Sequence, residues 1–592
     1  MNLKKIQIFI CGLAIVLSMQ IFSVSCLSRS ASTSVKAEEI LNSYQPLKYG
    51  LFVHYVPGGA MYPDGRWCND LNELANVFDV QAFADDLAAM QVEYVIFTAW
   101  HANMNLLYPS EKMNYWRPGH SANRDMIGDL TRAVKAKGIK VYYYTHPRDG
   151  HDFRNDQEKE ATGWGAGKNL KEGWNPNWAN FDFAKWNNFI NEIYGEFVDR
   201  YGNEIDGIWI DEGSPAGDSY RVVDYGRLRK TIKTRNPNLT IINNFYGTTY
   251  ACDLGMKEYG PGWGEFAQSD GSKWPAYTLP VGACFAGNWS ATSSLGKNDV
   301  QFSASDMFRY TILEAGTNTV GGGVAWATGP YAGKGWGTGV LDTLVKVGKL
   351  IEPIASSIKQ TLPSTSYPTI SGKTINDLSW GVATRSIDNK LEYLHVLIAP
   401  DEKTLVLPAP EDEKLFESAM LLKNGKSLSI KQTADGVELT LPADESWDAI
   451  NTVIQLTVSG VSPVAETYQW MNDTESGIVY EGRGWEYSRW ERKHGDFDND
   501  VHLTPVLGDE LLYAFTGTGI EYIVSQSKEQ GRFDVYLDGK FQESIDAYSD
   551  NYQAQKLLFR KYGLNKGRHV LRIVNAEKKQ LSVDAFKVIT LQ

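Results

Sequence analysis

Ile205-Asp-Gly-Ile-Trp-Ile-Asp-Glu-Gly213 is a short apolar run that ends in two carboxylates and a glycine. Its isoleucines and Trp209 favour a strand that is buried on both faces, as in the core of a parallel sheet or barrel. Asp211 and Glu212 would then lie at the carboxyl end of the strand, where α/β barrels carry their catalytic groups. The alternative is a turn with solvated acids, because Asp and Gly are common in turns.

Other apolar runs, separated by helical patterns, end in a similar way, which favours the strand. The runs are 49–55, 93–101, 139–146, 239–245 and 318–330, and the first three contain His54, His101 and His146 at or near their ends. Helical spacing of apolar residues is clear between them, for example over 183–201. A doubly wound sheet is less favoured because its Gly-rich phosphate turn is missing. The sequence predicts an α/β fold, a (β/α)8-like TIM barrel, over residues 45–362.

The pattern changes near Pro363 to short alternating runs separated by turn residues. This pattern predicts an all-β continuation, with one β-sandwich domain over 363–460 and a second over 466–592. The segment between 459 and 465 resembles a linker.

The N-terminus predicts export. Lys4 and Lys5 precede an apolar run over 6–22, and small residues follow it up to Cys26. We interpret 1–25 as a signal peptide and 26–44 as a tether. The residues before Cys26 resemble a bacterial lipoprotein cleavage site, so a lipid on Cys26 would be the membrane attachment; plain secretion is the alternative. The expected location is the periplasm or the cell surface of a bacterium.

Composition narrows the class of partner. The 592 residues carry a formal net charge of −13, so a nucleic acid would be repelled rather than attracted. The 31 Tyr and 18 Trp favour a partner with apolar faces such as a sugar ring, and we expect an oligosaccharide or glycoconjugate. Cys68, Cys252 and Cys284 show no metal-type spacing, so neither a zinc site nor a disulfide framework follows.

The strand ends would form a polar mouth. His54, His101, His146, Tyr144 and Asp211 supply hydrogen-bonding groups, while Trp100 and Trp209 supply aromatic walls. A sugar ring needs both kinds of contact. A single histidine at a strand end is more often structural, but three at successive strand ends favour a binding site.

Glycoside hydrolysis needs two carboxyl groups. Asp211 is the predicted nucleophile. The proton donor is left open among acids after the fifth strand, with Glu258 and Glu265 preferred because glycines and aromatics flank them. A solvated loop acid remains the alternative for either one.

A further candidate region is a long insertion over 150–180, rich in Gly, Trp and Asn. Insertions of this length in compact domains are usually functional or disordered. Trp164, Trp174 and Trp178 would face the substrate or pack in the protein.

These residues resemble the α-L-fucosidases of glycoside hydrolase family 29 over about 48–460. The similar motifs are Lys48-Tyr-Gly-Leu-Phe-Val-His-Tyr55, Tyr94-Val-Ile-Phe-Thr-Ala-Trp-His101, Arg124-Asp-Met-Ile-Gly-Asp-Leu130, Tyr143-Tyr144 and Asp206-Gly-Ile-Trp-Ile-Asp211. The resemblance implies that Asp211 attacks the anomeric carbon, that His54 binds the sugar, and that no metal or organic cofactor is needed. The last module resembles galactose-binding-like β-sandwiches, more loosely.

The chain departs from the family pattern at three places. His101 is followed by Ala102 where the family usually has a second His, Asn244 is followed by Phe245 with no Arg, and Trp274-Pro275 stands in place of a Trp-Glu pair. The expectation is therefore an exo-acting retaining glycosidase that releases a terminal fucose or a related sugar. The alternatives are a catalytically weakened glycan-binding lipoprotein and a barrel glycosidase of different sugar specificity.

Overall fold

The computed structural model describes residues 43–171, 173–212, 219–244, 252–258, 278–284, 300, 302–317, 322–369, 378–459, 466–475, 477–489, 495–564 and 567–591. The predicted signal peptide, Cys26, Glu265 and Trp274 lie outside the described residues.

The first part of the chain is a closed parallel barrel of eight strands, which confirms the predicted fold class. In chain order the strands are β1 (Tyr49–Val53), β2 (Tyr94–Thr98), β3 (Lys140–Thr145), β4 (Gly207–Ile210), β5 (Thr240–Asn244), β6 (Leu254–Glu258), β7 (Thr278–Cys284) and β8 (Val324–Ala327). Closure joins β8 to β1. β1, β2 and β4 are buried at every position, as expected for strands covered on both faces.

Two of the strands lie between the apolar runs 239–245 and 318–330, where no strand was predicted from the sequence. β6 and β7 carry a glycine or a proline and show no clear alternation of apolar and polar residues. They form strands because both neighbours in the closed barrel pair with them. Tertiary pairing overrides weak local propensity here.

Helices cover the barrel. They are α1 (Leu71–Val77), α2 (Val80–Met90), α3 (Glu111–Trp116), α4 (Met126–Lys135), α5 (Asp156–Thr162), α6 (Phe183–Tyr201), α7 (Ser219–Val222), α8 (Tyr225–Arg235), α9 (Ala304–Thr317), α10 (Val340–Ile351) and α11 (Ala355–Ile358). Aspartates cap several of them; Asp79, Asp125, Asp182 and Asp224 each accept a hydrogen bond from a backbone N–H of the first turn.

Antiparallel sheets follow the barrel, again as predicted. The first domain contains β9 (Thr361–Pro363), β10 (Gly381–Ser386), β11 (Leu391–Val396), β12 (Thr404–Leu407), β13 (Leu415–Leu421), β14 (Ser429–Thr433), β15 (Gly436–Thr440) and β16 (Thr452–Ser459). They form sheets ordered β13-β16-β11-β10-β9 and β12-β15-β14. The barrel contacts the first sheet closely, since a Cβ on Gly316 of α9 would lie 2.5 Å from Cβ of Val382.

The second β domain has its own core. Its strands are β17 (Glu466–Asn472), β18 (Ile478–Glu481), β19 (Glu486–Arg489), β20 (Asp500–Thr504), β21 (Glu510–Gly517), β22 (Gly519–Gln526), β23 (Arg532–Leu537), β24 (Lys540–Asp546), β25 (Gln553–Lys561), β26 (Gly567–Asn575), β27 (Leu581–Val583) and β28 (Ala585–Leu591). Its two larger sheets, β17-β28-β22-β25 and β18-β21-β26-β23-β24, enclose a cluster that includes Tyr522, Phe533 and Phe586.

Within the described part of the chain, no helix has the length and apolar character needed to cross a membrane.

Candidate active site

The carboxyl ends of the first five strands bring most of the predicted site residues together. His54 follows β1, His101 follows β2, and Tyr144 is the second-last residue of β3. Asp211 directly follows β4, and Asn244 ends β5. Because all strands of the barrel are parallel, these residues meet at one mouth.

Asp211 is held from three sides. Tyr144 Oη donates a 2.6 Å hydrogen bond to its Oδ2, and Asn244 Nδ2 donates a 2.7 Å bond to its Oδ1. The backbone N–H of Glu212 also donates to Oδ1, at 2.8 Å. The backbone N–H of Asp211 donates to the carbonyl of Thr145 on β3. The carboxylate therefore has a fixed orientation, set by β3, β4 and β5 together.

The electrostatic surroundings keep Asp211 ionised. Burial alone raises the pKa of Asp211, but the electrostatic interaction with His146, the hydrogen bonds from Asn244 and Tyr144, and the interaction with His101 outweigh burial. The pKa of Asp211 therefore lies below the ordinary value for an aspartate. A carboxylate that is ionised and oriented can act as a nucleophile without first losing a proton.

Histidine rings line the mouth beside Asp211. The ring of His54 lies 5.1 Å from that of His101 and 4.8 Å from that of Tyr144, measured between centroids. Burial, with the nearby His101, lowers the pKa of His54 to about 3, so this ring is neutral at ordinary pH. A neutral imidazole can both donate and accept hydrogen bonds, as sugar hydroxyls require.

His146 supplies a second imidazole next to His101. The two rings are stacked, with centroids 5.3 Å apart and planes 13° apart. His101 is followed by Ala102, so the second imidazole of this pair comes from the end of β3 and not from the neighbouring position on the chain. His101 is partly exposed, at 28% of its side chain, whereas His146 is buried.

The backbone N–H of Arg148 donates a 3.2 Å hydrogen bond to His146 Nδ1, and Asp149 lies against both rings, a role that sequence reasoning missed. Its Oδ1 lies 3.0 Å from His146 Nδ1 and its Oδ2 lies 3.5 Å from His101 Nδ1. Burial lowers the pKa of His101, but the hydrogen bond and the charge of Asp149 raise it above the usual value. The sequence signal for this role was position: Asp149 comes three residues after His146, which directly follows β3, so it lies at the same end of the barrel.

Trp209 and Trp100 take different places. Trp209 is buried inside the barrel, stacked on Tyr144 with centroids 5.2 Å apart, and so supports the floor of the mouth. Trp100 points the other way, with no exposed surface. Its ring packs 5.0 Å from Tyr194 on α6, and its Nε1 donates to the carbonyl of His146. The predicted aromatic wall at Trp100 therefore belongs to the packing between barrel and helices.

Glu212 turns away from Asp211. It has a φ of 49°, in the left-handed region that is uncommon for non-glycine residues. Its carboxylate forms an ion pair with the guanidinium of Arg148, which also donates to Asn175. Glu212 thus shapes the mouth, and Asp211 is the acid that faces the histidines.

Of the two candidate proton donors, the structure describes the backbone of Glu258 but not Glu265. Glu258 is the last residue of β6, so its backbone lies at the same end of the barrel as Asp211. The pairing of Asn244 with Met256 puts Glu258 two residues further along that end. Glu265 lies outside the described residues.

The described residues also include groups that could hold a metal ion. One is His101, His146 and Asp149, and another is Asp149, His151 and Asp152; within each group the ligand atoms lie within 4.8 Å of one another. In the first group, Asp149 Oδ2 contacts His101 Nδ1 and the backbone N–H of Arg148 donates to His146 Nδ1, so both imidazoles are oriented without an ion.

Comparison with known proteins points to one family. The family model described as α-L-fucosidase matches residues 62–274, a stretch that contains β2 to β6 and Asp211. The α-L-fucosidase structure from Vibrio sp. strain EJY3 has a TM-score of 0.51, with 13% identity, 92% of this chain covered and 97% of that chain covered. At this identity the likeness concerns the fold, including the β domains.

Two curated relatives come from Flavonifractor plautii. The A type blood N-acetyl-α-D-galactosamine deacetylase is 28% identical over 143 residues, and the A type blood α-D-galactosamine galactosaminidase is 31% identical over 116 residues. The matches cover 24% and 19% of this chain, but only 18% and 10% of the relatives' own lengths. The chain thus spans a small part of both relatives.

The family match, the parallel barrel and the antiparallel sheets after it agree with one another. The chain therefore carries a divergent domain of the α-L-fucosidase family, glycoside hydrolase family 29, with additional β domains on its C-terminal side.

Proposed function

We propose that the protein is an exo-acting retaining glycoside hydrolase that releases a terminal fucose or a related sugar from a glycan. One observation carries this proposal. Asp211 is an ionised carboxylate, oriented by Tyr144 and Asn244, and it faces the ring cluster of His54 and His101 at the barrel mouth.

The reaction has two steps. In the first, an Asp211 oxygen attacks the anomeric carbon, and the glycosidic bond breaks as an acid gives its proton to the leaving oxygen. In the second step, the residue that served as the acid now acts as a base and removes a proton from water. The water attacks the anomeric carbon and frees Asp211. Glu258 and Glu265 are the two candidates for this single acid/base residue. Its carboxyl group must stand about 5–5.5 Å from that of Asp211.

The other residues would bind the sugar. His54 is neutral, and its ring lies against Tyr144 at the mouth, so it suits a hydrogen bond to a ring hydroxyl. His101 has a raised pKa, so it can donate to an oxygen that gains negative charge. Trp209 supports this arrangement from below through its stacking on Tyr144.

Substitution of Asp211 tests the proposal. Asp211→Asn is expected to lower kcat by about a thousandfold or more, because the nucleophile is removed. The variant should still fold. In Asp211→Gly, azide should restore turnover and give a glycosyl azide. Asp199→Asn, at an exposed acid on α6, is the control. Full turnover by Asp211→Asn without azide would refute the proposal.

A second candidate function differs in the sugar. The two curated relatives are named for blood group A galactosamine sugars, and this chain has Ala102 beside His101. Both facts favour a specificity other than fucose. A panel of aryl fucosides, galactosides and N-acetylgalactosaminides, followed by host and plant glycans, separates the candidates through the monosaccharide released. Binding of a glycan without release of any sugar would favour a catalytically weakened glycan-binding protein.

We also propose an exported location with a lipid on Cys26, from the residues of the N-terminus. Labelling of cells with an alkyne fatty acid should mark the wild-type protein. Cys26→Ala should remove the label and release the protein from the membrane fraction. Unchanged labelling of Cys26→Ala would contradict a lipid at this residue.

A further inference from the structure

The insertion over 150–180 has a firm base. Trp164 is buried and packs 4.8 Å from the ring of Trp186 on α6. The N–H of Asp182 donates to the carbonyl of Gly163, and Asn180 Nδ2 donates to the carbonyl of Ala166 at 2.9 Å. The C-terminal end of the insertion is thereby tied to its middle, next to α6.

Its three tryptophans differ sharply in environment. Trp164 belongs to the base, and Trp178 lies under the guanidinium of Arg221, which is 4.2 Å from the ring centroid. Trp174, in contrast, is 66% exposed. A large aromatic ring left in water loses the free energy that its burial would provide, so such a ring suggests a binding surface.

Arg148 connects this ring's segment to the strand of Asp211. Its guanidinium donates to Oδ1 of Asn175, the residue after Trp174, and to Oε2 of Glu212, the residue after Asp211. Arg148 and Asn175 are both buried. The planar guanidinium fixes both partners at once, so the backbone at Trp174 has a set position relative to the barrel mouth.

His151 brings the ring of Trp174 next to the mouth. The two rings are 4.8 Å apart with an interplanar angle of 68°. His151 and Asp149 lie in the same short helical turn, Asp149–Asp152, and Asp149 contacts both His101 and His146. The turn that carries His151, the ring next to Trp174, therefore also carries Asp149, which contacts the imidazoles beside Asp211.

We propose that Trp174 forms the leaving-group subsite, where its exposed face stacks on the pyranose ring next to the scissile bond. The inference rests on the proposed function. The face of a pyranose ring is largely C–H and suits an aromatic partner. Asp152 adds an acceptor for a hydroxyl of that ring, since it is partly exposed and its Oδ1 lies 3.3 Å from His151 Nε2.

Two substrates with the same sugar and different leaving groups test this subsite. α-L-Fucosyl fluoride has no leaving-group sugar, whereas 2′-fucosyllactose has one. Trp174→Ala should lower kcat/KM for 2′-fucosyllactose by about tenfold or more, mainly through KM, and leave the fluoride unchanged. Trp174→Phe should restore most of the loss. Tyr115→Ala, at a ring that is 76% exposed on α3, should change neither value.

The possible results separate the two proposals. Equal kcat/KM of wild type and Trp174→Ala on 2′-fucosyllactose would overturn the subsite and leave the proposed hydrolase standing. Equal losses on both substrates would also overturn it, because Trp174 would then act on the reacting sugar or on folding. If the wild-type protein is inert on both substrates but releases another sugar of the aryl glycoside panel, the same comparison applies to the fluoride of that sugar and a disaccharide that carries it. A wild-type protein that is inert on both substrates and on the whole panel would overturn the proposed function together with the subsite.

Discussion

Tyr144 Oη lies 2.6 Å from Asp211 Oδ2 and donates a hydrogen bond to it. This contact joins the end of β3 to the residue after β4, at the mouth of the barrel. It stabilises the ionised form of Asp211, and it positions the ring of Tyr144 between Trp209 and His54. The phenol of Tyr144 therefore contacts the acid, the barrel floor and His54.

Tyr144→Phe should lower kcat/KM by about ten- to a hundredfold, the effect of losing a hydrogen bond to a charged group. Since that bond lowers the pKa of Asp211, its loss should raise this pKa and move the acid limb of the pH profile to higher pH. Tyr143→Phe is the matched control, because its hydroxyl contacts Thr131 on the outer side of the barrel. An acid limb that stays in place in Tyr144→Phe would contradict the assigned contact.

His146→Phe should raise KM by about tenfold, because the ring still stacks on His101 but the second imidazole is lost, together with its contacts to the Arg148 N–H and to Asp149. Treatment with EDTA should leave the wild-type rate unchanged if these imidazoles serve the sugar. Loss of activity on EDTA treatment that added zinc restores would instead assign His101, His146 and Asp149 to a metal ion.

His54 should make the protein less stable in acid. Its pKa falls from 6.5 to about 3 in the folded chain, so as the pH drops below 6.5 the unfolded chain binds the proton first. The stabilisation is complete above that pH and is lost progressively down to about pH 3, with about 2 kcal/mol lost between pH 7 and pH 5. Calorimetry at both values should show a smaller drop of the barrel transition in His54→Asn than in wild type. Equal drops would show that His54 does not titrate in this way.

Deletion of residues 460–592 should leave the barrel's melting temperature and its kcat on α-L-fucosyl fluoride unchanged. The barrel core and the core of the last domain share no residue, so each is buried by its own strands. If the last domain binds glycan, retention on glycan-containing gels should fall by about tenfold or more, as expected when a second binding site is removed. Unchanged retention of the shortened chain would count against glycan binding by this domain.

The sequence was sufficient for the class of fold. Runs such as 205–213 are apolar on both faces and end in polar residues. This local pattern is enough to indicate a parallel strand and the position of its carboxyl end. The change of pattern after 363 likewise predicted the antiparallel sheets. β6 and β7 were missed because their residues become strands only when both neighbours in a closed barrel pair with them.

The sequence by itself determined which acid and which histidines end the strands, since that depends only on position along the chain. Only the tertiary structure decided what each side chain contacts. It brought Asp149 between His101 and His146, turned Trp100 into the helix packing, and used Arg148 to join Glu212 to Asn175. These contacts join residues on different strands and loops, so their geometry depends on barrel closure, which no local sequence pattern encodes.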